Sequence, residues 1–190
     1  MKNNDIKFDW KGLWLQKGKT STNNLLILNG YEKTNCDPFF VTKQIQEILG
    51  VNQNSSILEV GCGAGLMAQF FDCKYVGIDY AKTMVQKIKS ILKKEAHVAK
   101  ANNLPFKNNS FDYVFAYSVF HYFPDKGYVN ETIEEMTRVA KEAIFIGDLP
   151  TSSHNDNHLL FSMSDFCDWE TSEGFYNKNR FNIYKRKETA

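Results

Sequence analysis

The segment that decides the fold is Ile57-Leu-Glu-Val-Gly-Cys-Gly-Ala-Gly65, a short apolar run that leads directly into three closely spaced glycines. The run Ile57–Val60 predicts a buried strand, because short apolar runs bounded by turn residues are typical of strands covered on both faces. Glycines allow a tight turn and let a ligand approach the backbone without a Cβ in the way. In a parallel sheet this turn lies at the carboxyl end of its strand, where ligands of open α/β sheets bind. The segment therefore predicts a ligand site directly after the first strand.

Short apolar runs and amphipathic segments alternate on either side of this motif. The predicted strands are residues 57–60, 75–78, 97–101, 112–118 and 143–146, and the predicted helices are 39–49, 66–71, 82–94, 129–139 and 159–169. Two last runs, 174–176 and 180–186, flank a polar turn and predict an antiparallel edge hairpin. Strands that alternate with helices predict a parallel sheet with helices on both faces. We therefore expect a doubly wound, three-layer αβα fold whose mostly parallel seven-stranded sheet ends in an antiparallel C-terminal edge.

Composition excludes several classes of protein. The 190 residues favour one domain, and 43% apolar with 24% charged residues is typical of a globular protein. A net charge of +1 gives no overall attraction for nucleic acids or anionic membranes. No run is long enough for a membrane span, the N-terminus lacks the apolar core of a signal peptide, and the four cysteines form no CxxC pair. We expect a cytoplasmic protein with reduced thiols and no metal, nucleic-acid or membrane partner.

The spacing of the glycines narrows the choice of ligand. A dinucleotide fingerprint needs a glycine where this chain has Leu66, and the pattern is instead E-x-G-x-G-x-G, beginning at Glu59. This pattern resembles motif I of the class I S-adenosylmethionine (SAM) methyltransferases. Further segments that resemble the methyltransferase-11 group, which includes quinone-biosynthesis enzymes, are Val76-Gly-Ile-Asp-Tyr80, Asn103-Leu-Pro-Phe106, Asn109-Ser-Phe-Asp112, Tyr117-Ser-Val-Phe-His-Tyr122 and Glu135-Met-Thr-Arg-Val139. The resemblance covers roughly residues 55–148 and implies a Rossmann-like fold.

The resemblance also implies a cofactor, SAM, with S-adenosylhomocysteine as its product. Asp79 would pair with the ribose hydroxyls, Tyr80 and Met84 would pack against adenine, and Glu59 would act indirectly at the methionine end. The full set of expected cofactor-binding residues is Glu59, Gly61, Cys62, Gly63, Gly65, Asp79, Tyr80, Met84, Ala101, Asn102, Asn103, Tyr117 and Ser118. Relatives often carry an acid where this chain has Lys100, so adenine recognition would fall to Ala101 and Asn102. Relatives also turn into the fifth strand through Pro-Gly-Gly, whereas this chain has Ala140-Lys-Glu-Ala143.

For several of these residues an ordinary structural role is an alternative. Asp79 is also suited to cap a helix, and Tyr80 and Met84 to be ordinary packed residues. His121 follows the fourth strand and is a candidate acid/base or substrate-orienting group, with a packed core histidine as the alternative. The expected substrate and lid residues are Trp10, Trp14, Tyr31 and Tyr122. We expect residues 1–50 to form an N-terminal helical or lid segment of the same domain, and 51–190 the SAM-binding methyltransferase domain.

The predicted function is methyl transfer from SAM to a small-molecule acceptor. After the fourth strand there is no (D/N/S)PP(Y/F) motif, which nucleic-acid amino methyltransferases use, and there is no Pro-Cys nucleophile pair. The alternative is a non-catalytic protein of the same fold that binds SAM or a partner chain without turnover. A nicotinamide oxidoreductase is disfavoured by Leu66. The sequence leaves the acceptor and the oligomeric state open.

Overall fold

In the part of the chain that the structure describes, the protein is built around one seven-stranded sheet. The structure, a computed structural model, describes residues 8–152 and 157–187. Its strands are β1 Ser56–Val60, β2 Lys74–Asp79, β3 Glu95–Val98, β4 Phe111–Tyr117, β5 Ala140–Pro150, β6 Glu170–Glu173 and β7 Arg180–Arg186. Their order across the sheet is β3-β2-β1-β4-β5-β7-β6. β1 to β5 run parallel, while β7 is antiparallel to both β5 and β6. The predicted parallel sheet with an antiparallel C-terminal edge is confirmed.

Five α-helices accompany the sheet in the described parts of the chain, and each main helix begins or ends at a recognisable signal. They are α1 Trp10–Lys17, α2 Leu25–Asn29, α3 Pro38–Leu49, α4 Lys82–Leu92 and α5 Lys126–Val139. The Asp37 side chain accepts bonds from the first amides of α3, and Gly50 ends that helix in the left-handed conformation. The Asp125 side chain caps α5 in the same way. The predicted bounds of α3 differ by one residue from the structure, whereas α5 begins directly after its Asp125 cap, three residues before the predicted start at 129.

The side chains of β1 alternate between two apolar cores, which makes the fold a three-layer sandwich. Leu58 and Val60 pack with Val129 and Met136 of α5 on one face. Ile57 packs with residues of α3 and α4 on the other. Because successive strand residues point to opposite faces, Glu59 shares the face of Ile57. The three-layer αβα prediction is confirmed, and β1 ends where both layers meet the glycine turn.

Two predicted helices are wrong. Residues 66–71 form only a 3₁₀ turn at Ala68–Phe70, because the backbone leaves the helical region at Gly65, with φ +91°, and few residues remain before β2. Residues 159–169 contain only the 3₁₀ turn Met163–Phe166. The amide of Leu159 donates to the carbonyl of His121 at 3.0 Å, and that of Phe161 to Pro150 at 2.9 Å. These distant partners replace the carbonyls that a helix would supply.

Three strand boundaries also differ from the predictions. The third strand is 95–98 rather than 97–101, because its register with β2 ends where Val98 pairs with Asp79. The first hairpin strand is 170–173 rather than 174–176. The fifth strand begins at residue 140, so the predicted turn 140–143 is part of the strand. Among the described residues, no helix has the length and apolar character needed to cross a membrane.

Candidate functional site

A cavity of about 430 Å³ opens at the carboxyl ends of β1, β2 and β4. Its wall includes most of the predicted cofactor residues: Glu59, Gly61, Cys62, Gly63, Asp79, Tyr80, Ala101, Tyr117 and Ser118. It also includes the four predicted substrate or lid residues, Trp10, Trp14, Tyr31 and Tyr122. The fold therefore brings the carboxyl ends of β1, β2 and β4 and the N-terminal segment together around one cavity.

The glycine turn forms the floor of this cavity. Gly61 and Gly63 have φ of +78° and +52°, in the region that favours glycine. A Cβ on Gly61 would lie 2.5 Å from a methyl of Val119, and one on Gly63 would lie 2.2 Å from Oδ1 of Asn29. Both positions therefore need a residue without a side chain. The turn therefore packs closely against Val119 and Asn29.

Asp79 joins the end of β2 to the glycine turn. Its Oδ2 accepts a bond from the amide of Gly63 at 2.9 Å, and its Oδ1 accepts one from the amide of Ala81 at 2.8 Å. Burial raises the pKa of Asp79 to about 6, against the lowering effect of these two bonds. The N-cap of α4 is Ala81, so Asp79 does not cap the helix. A carboxylate accepts about four hydrogen bonds, so this one retains acceptor capacity toward the cavity.

Glu59 is a second buried acid on the same wall. The hydroxyl of Tyr75 donates to its Oε2, and its side chain is almost completely buried. The pKa of Glu59 is raised to about 8, chiefly by burial. The bond from Tyr75 opposes this rise, and the charge of Asp79 contributes to it. Glu59 is therefore mostly protonated at neutral pH when the cavity holds no cation.

Five predicted residues do not lie on the cavity wall. Gly65 faces α4, where a Cβ would lie 2.7 Å from Ile88. Met84 is buried against Leu28, Ala64 and Ala81. The others are Asn102, whose amide donates to Glu131, Asn103, whose backbone amide donates to Lys100, and His121. Their roles toward a ligand stay predictions, and for Gly65 and Met84 the visible role is packing beneath the cavity.

His121 lies behind the aromatic rim of the cavity. Its ring is 4.0 Å from that of Tyr122 and 4.6 Å from that of His158, measured between centroids. Only Tyr122 of these three residues lines the cavity. His158 in turn stacks on Trp10 at 4.9 Å. The geometry therefore gives His121 contact with the rim and no direct contact with the cavity.

The end of β4 supplies an unsatisfied hydroxyl and a strained backbone. Tyr117 is buried on the cavity wall, and its hydroxyl has no hydrogen-bond partner among the residues that the structure describes. The next residue, Ser118, has φ +59°, and its amide donates to Gly147 at 3.1 Å. A buried polar group without a partner costs free energy, and strained non-glycine residues cluster at functional sites. Tyr117 is therefore a natural hydrogen-bonding partner for a ligand.

The N-terminal helices cover the open side of the cavity. The hydroxyl of Tyr80 donates to the carbonyl of Trp10 at 3.2 Å, and that of Thr83 to Leu15 at 2.9 Å. Deeper in the cavity, the amide of Ala64 donates to Oδ1 of Asn29 at 3.1 Å. Two contacts thus fix α1 on the segment after β2, and a third fixes α2 on the glycine turn.

Sequence reasoning missed part of the wall. The missed residues include Asn29, Leu66, Met67, Ile78, Ala99, Lys100, Val119 and Tyr128. Asn29 precedes Gly30, a left-handed helix cap, so the sequence indicates the end of a short helix there. It does not indicate that this end contacts the glycine turn. Tyr128 lies in the first turn of α5, where an aromatic residue is readily taken for part of the core.

Comparison with known proteins identifies related chains. Residues 58–145 match the family model described as a methyltransferase domain, of the methyltransferase-11 type. Demethylmenaquinone methyltransferase of Bacillus cereus is 32% identical to this chain, over 52% of the chain and 46% of that protein. The corresponding Bacillus anthracis protein is similar to the same extent. The chain thus spans about half the length of the curated relatives that it matches.

Solved structures share the fold at low sequence identity. A SAM-dependent methyltransferase from Methanosarcina mazei aligns with a TM-score of 0.62 and 17% identity, over 72% of this chain and 94% of the other. Magnesium protoporphyrin IX methyltransferase from Synechocystis, determined with bound SAM, aligns with a TM-score of 0.64 and 12% identity. That alignment covers 96% of this chain and 93% of the other. At these identities the likeness concerns the fold.

Proposed function

We propose that the chain transfers a methyl group from SAM to a small-molecule acceptor, because residues 58–145 match a family model for a methyltransferase domain. The observation that carries this proposal is the contact between Asp79 and the amide of Gly63 at the floor of the cavity. It places an acid at the end of the second strand directly beside the glycine turn that follows the first. A nucleoside with a charged tail needs both features next to each other.

The residues on the wall fit the parts of SAM. Asp79 offers carboxylate oxygens to the ribose hydroxyls, and Tyr80 with Ile78 offers apolar surface to the adenine ring. Glu59 and Asp79 place negative charge near the glycine turn, which suits the positive methionine end of the cofactor. Gly61 and Gly63 leave only backbone at this part of the cavity wall, where a side chain would collide with Val119 or Asn29.

The protein's contribution to methyl transfer is alignment and exclusion of water. When bound, SAM would supply a methyl group attached to a sulfonium. The lone pair of an acceptor would attack that methyl carbon while the carbon–sulfur bond breaks, which releases S-adenosylhomocysteine. The rings of Trp10, Trp14 and Tyr122 close the cavity mouth, with 4.7 Å between the centroids of Trp10 and Tyr122. Aromatic faces also attract a sulfonium cation. The hydroxyl of Tyr117 is placed to orient the acceptor, and correct positioning alone lowers a barrier by several kcal/mol.

The proposed setting is the cytoplasm, and the proposed acceptor is a small molecule. Supporting the setting, all four cysteines are free thiols, including the exposed Cys167, as expected in a reducing compartment. Supporting the acceptor class, the cavity has a volume of about 430 Å³, which lies in the range of small-molecule sites. We propose that His121 acts only by supporting Tyr122.

The test of the proposed function is cofactor binding followed by turnover. Isothermal titration calorimetry should show saturable binding of SAM and of S-adenosylhomocysteine at one site per chain. Incubation with methyl-labelled SAM and a panel of small hydroxyl, amine and thiol acceptors should then transfer the label. Binding without transfer to any acceptor would favour the non-catalytic alternative. Absence of binding by either compound would refute the proposal.

Replacing Asp79 should weaken cofactor binding strongly. We expect Asp79→Ala to reduce the affinity for S-adenosylhomocysteine by about 1.5–3 kcal/mol, the scale of hydrogen bonds to a charged group. Asp112→Ala is the matched control, since Asp112 also accepts a backbone amide, that of Ser56, but at the other end of the sheet. Calorimetry on both variants tests the assignment. An unchanged affinity for Asp79→Ala would contradict it.

A side chain at Gly63 should cost binding more than folding. In Gly63→Val the new Cβ would meet Oδ1 of Asn29, so the docking of α2 and the ligand space would both be disturbed. Gly50→Val is the control, because Gly50 has the same left-handed backbone at φ +81° but no atom closer than 3.7 Å. We expect both variants to lose some thermal stability and only Gly63→Val to lose affinity, by at least about tenfold. Equal affinity losses would make the Gly63 effect purely structural.

A further inference from the structure

Within the described part of the N-terminal segment, Asn29 is the side chain that bonds to the glycine turn. It lines the cavity, and its Oδ1 accepts the amide proton of Ala64 at 3.1 Å. Its Nδ2 donates to the carbonyl of Leu25 at 2.8 Å, within the same short helix α2. These two bonds fix the orientation of the amide, because an acceptor must face Ala64 and a donor must face Leu25.

One donor of that amide is left for a ligand. A side-chain amide nitrogen carries two protons, and the bond to Leu25 uses one of them. The second proton stays on Asn29, whose Oδ1 lies 2.2 Å from the position that a Cβ on Gly63 would take. Asn29 therefore packs directly against Gly63 on the cavity wall.

The backbone of the glycine turn has little donor capacity to offer instead. The amides of Gly61 and Cys62 both donate to Ile78, and that of Gly65 donates to Cys62. The amides between them, at residues 63 and 64, donate to Asp79 and Asn29. An anionic group that reaches this turn must find its donor on a side chain.

Electrostatics makes that donor important. The methionine end of SAM carries an ammonium and a carboxylate. Glu59 and Asp79 suit the ammonium but repel the carboxylate. Two lysines also line the cavity, but Lys11 lies in α1 at the mouth and Lys100 lies after β3, beside Ala101. Among the described residues, Asn29 carries a side-chain amide that contacts the glycine turn directly and keeps a spare proton.

We propose that Asn29 binds the α-carboxylate of the cofactor through its second amide proton, with Ala64 holding the side chain in place. This inference rests on the proposed function and adds a residue from outside the methyltransferase motifs. It assigns to helix α2 a direct part in recognising the methionine end. It also means that docking of α2 and binding of the cofactor favour each other.

The experiment compares two ligands that differ only at the methionine end. S-adenosylhomocysteine has the carboxylate and the ammonium, whereas 5′-methylthioadenosine has the same nucleoside and sulfur without them. Asn29→Asp keeps an acceptor for Ala64 but replaces the donor by a negative charge. We expect calorimetry to show that this variant binds S-adenosylhomocysteine at least about tenfold more weakly than the wild type, since a lost bond to a charged group has that scale. Binding of 5′-methylthioadenosine should change by less than about twofold.

Asn24→Asp is the matched control. Asn24 caps the first turn of the same helix through Leu26 and Ile27, and it is not on the cavity wall. Aspartate also caps helices well, so this variant adds the same charge to α2 without changing the cavity. Its affinity for both ligands should match the wild type. Asn29→Ala, which adds no charge, should show the same selective loss to a smaller degree.

The outcomes separate this inference from the proposed function. Equal weakening of both ligands by Asn29→Asp would show that Asn29 only supports the turn, and would overturn the inference. Unchanged binding of both ligands would also overturn it. If the wild-type protein binds neither ligand, the proposed function itself fails. A thermal melt of each variant shows whether it folds, and Asn29→Ala keeps the test decisive if the aspartate variant does not.

Discussion

Glu59→Gln is expected to make the ligand-free protein more stable, by an amount that grows as the pH rises from 5 to 9. The pKa of Glu59 is about 8 in the folded protein against an ordinary value of 4.5, chiefly because the group is buried. The folded state therefore keeps a proton that the unfolded state releases, and stability is lost as the pH rises between these two values. At pH 9 ionising this group costs the wild type on the order of 5 kcal/mol. Glutamine never ionises, and its side-chain oxygen still accepts the bond from Tyr75.

Urea unfolding of both proteins at pH 5, 7 and 9 measures this effect. We expect nearly equal unfolding free energies at pH 5 and the largest difference at pH 9. Glu135→Gln is a control of opposite sign, because its bonds to Arg138 lower the pKa of Glu135. That variant should lose stability at neutral pH and show no further change above it. A pH-independent difference for Glu59→Gln would show that Glu59 is already ionised in the folded protein.

The same variant should bind SAM more weakly than the wild type, with the larger deficit at high pH. A cation in the cavity favours the ionised form of Glu59, so binding to the wild type releases a proton. Affinity for SAM should therefore rise with pH through the range in which Glu59 and Asp79, with pKa values of about 8 and 6, lose their protons. We therefore expect Glu59 to lower the stability of the empty protein at high pH and to supply negative charge when a cationic ligand binds.

The part of the site that follows the strands could be predicted from the sequence. Glu59, the glycines and Asp79 lie at the ends of short apolar runs, and parallel strands bring their carboxyl ends to one edge. The spacing of three glycines also separated this turn from a dinucleotide fingerprint. Here local pattern and sheet topology agree, so position along the chain predicts position in space.

The rest depends on contacts that no local pattern encodes. Asn29 reaches the cavity because Leu28 beside it is buried against Ala64, Ala81 and Met84. The sequence of the short helix α2 does not indicate this packing. The apolar residues of 159–169 fit a helix, yet the backbone amides there bond to distant carbonyls. Helical spacing correctly predicted α4. It wrongly predicted a helix at 159–169, because hydrogen bonds to distant carbonyls fix the backbone there.

Deleting residues 1–30 is expected to leave the sheet folded and to abolish turnover. The two large cores are built mainly from residues after 40, so the strands and their covering helices keep their packing. The deletion removes Leu28 and Asn29, which uncovers Met84 and frees the amide of Ala64. It also removes Trp10 and Trp14 from the cavity mouth. Circular dichroism should show a cooperative melt at lower temperature, and labelled methyl transfer should fall to background, because water enters the open cavity.

Limited trypsin digestion tests the same segment in the intact chain. Lys19 and Lys33 are exposed and flank α2, and Lys178 is exposed in the turn before β7. If cofactor binding and docking of the N-terminal helices favour each other, saturating S-adenosylhomocysteine should slow cleavage at the first two sites by at least about tenfold. Cleavage at Lys178 should keep its rate and serves as the internal control. Because a ligand stabilises only what it contacts or orders, equal slowing at all three sites would mean global stabilisation, and no slowing at Lys19 and Lys33 would show that the segment is not a lid.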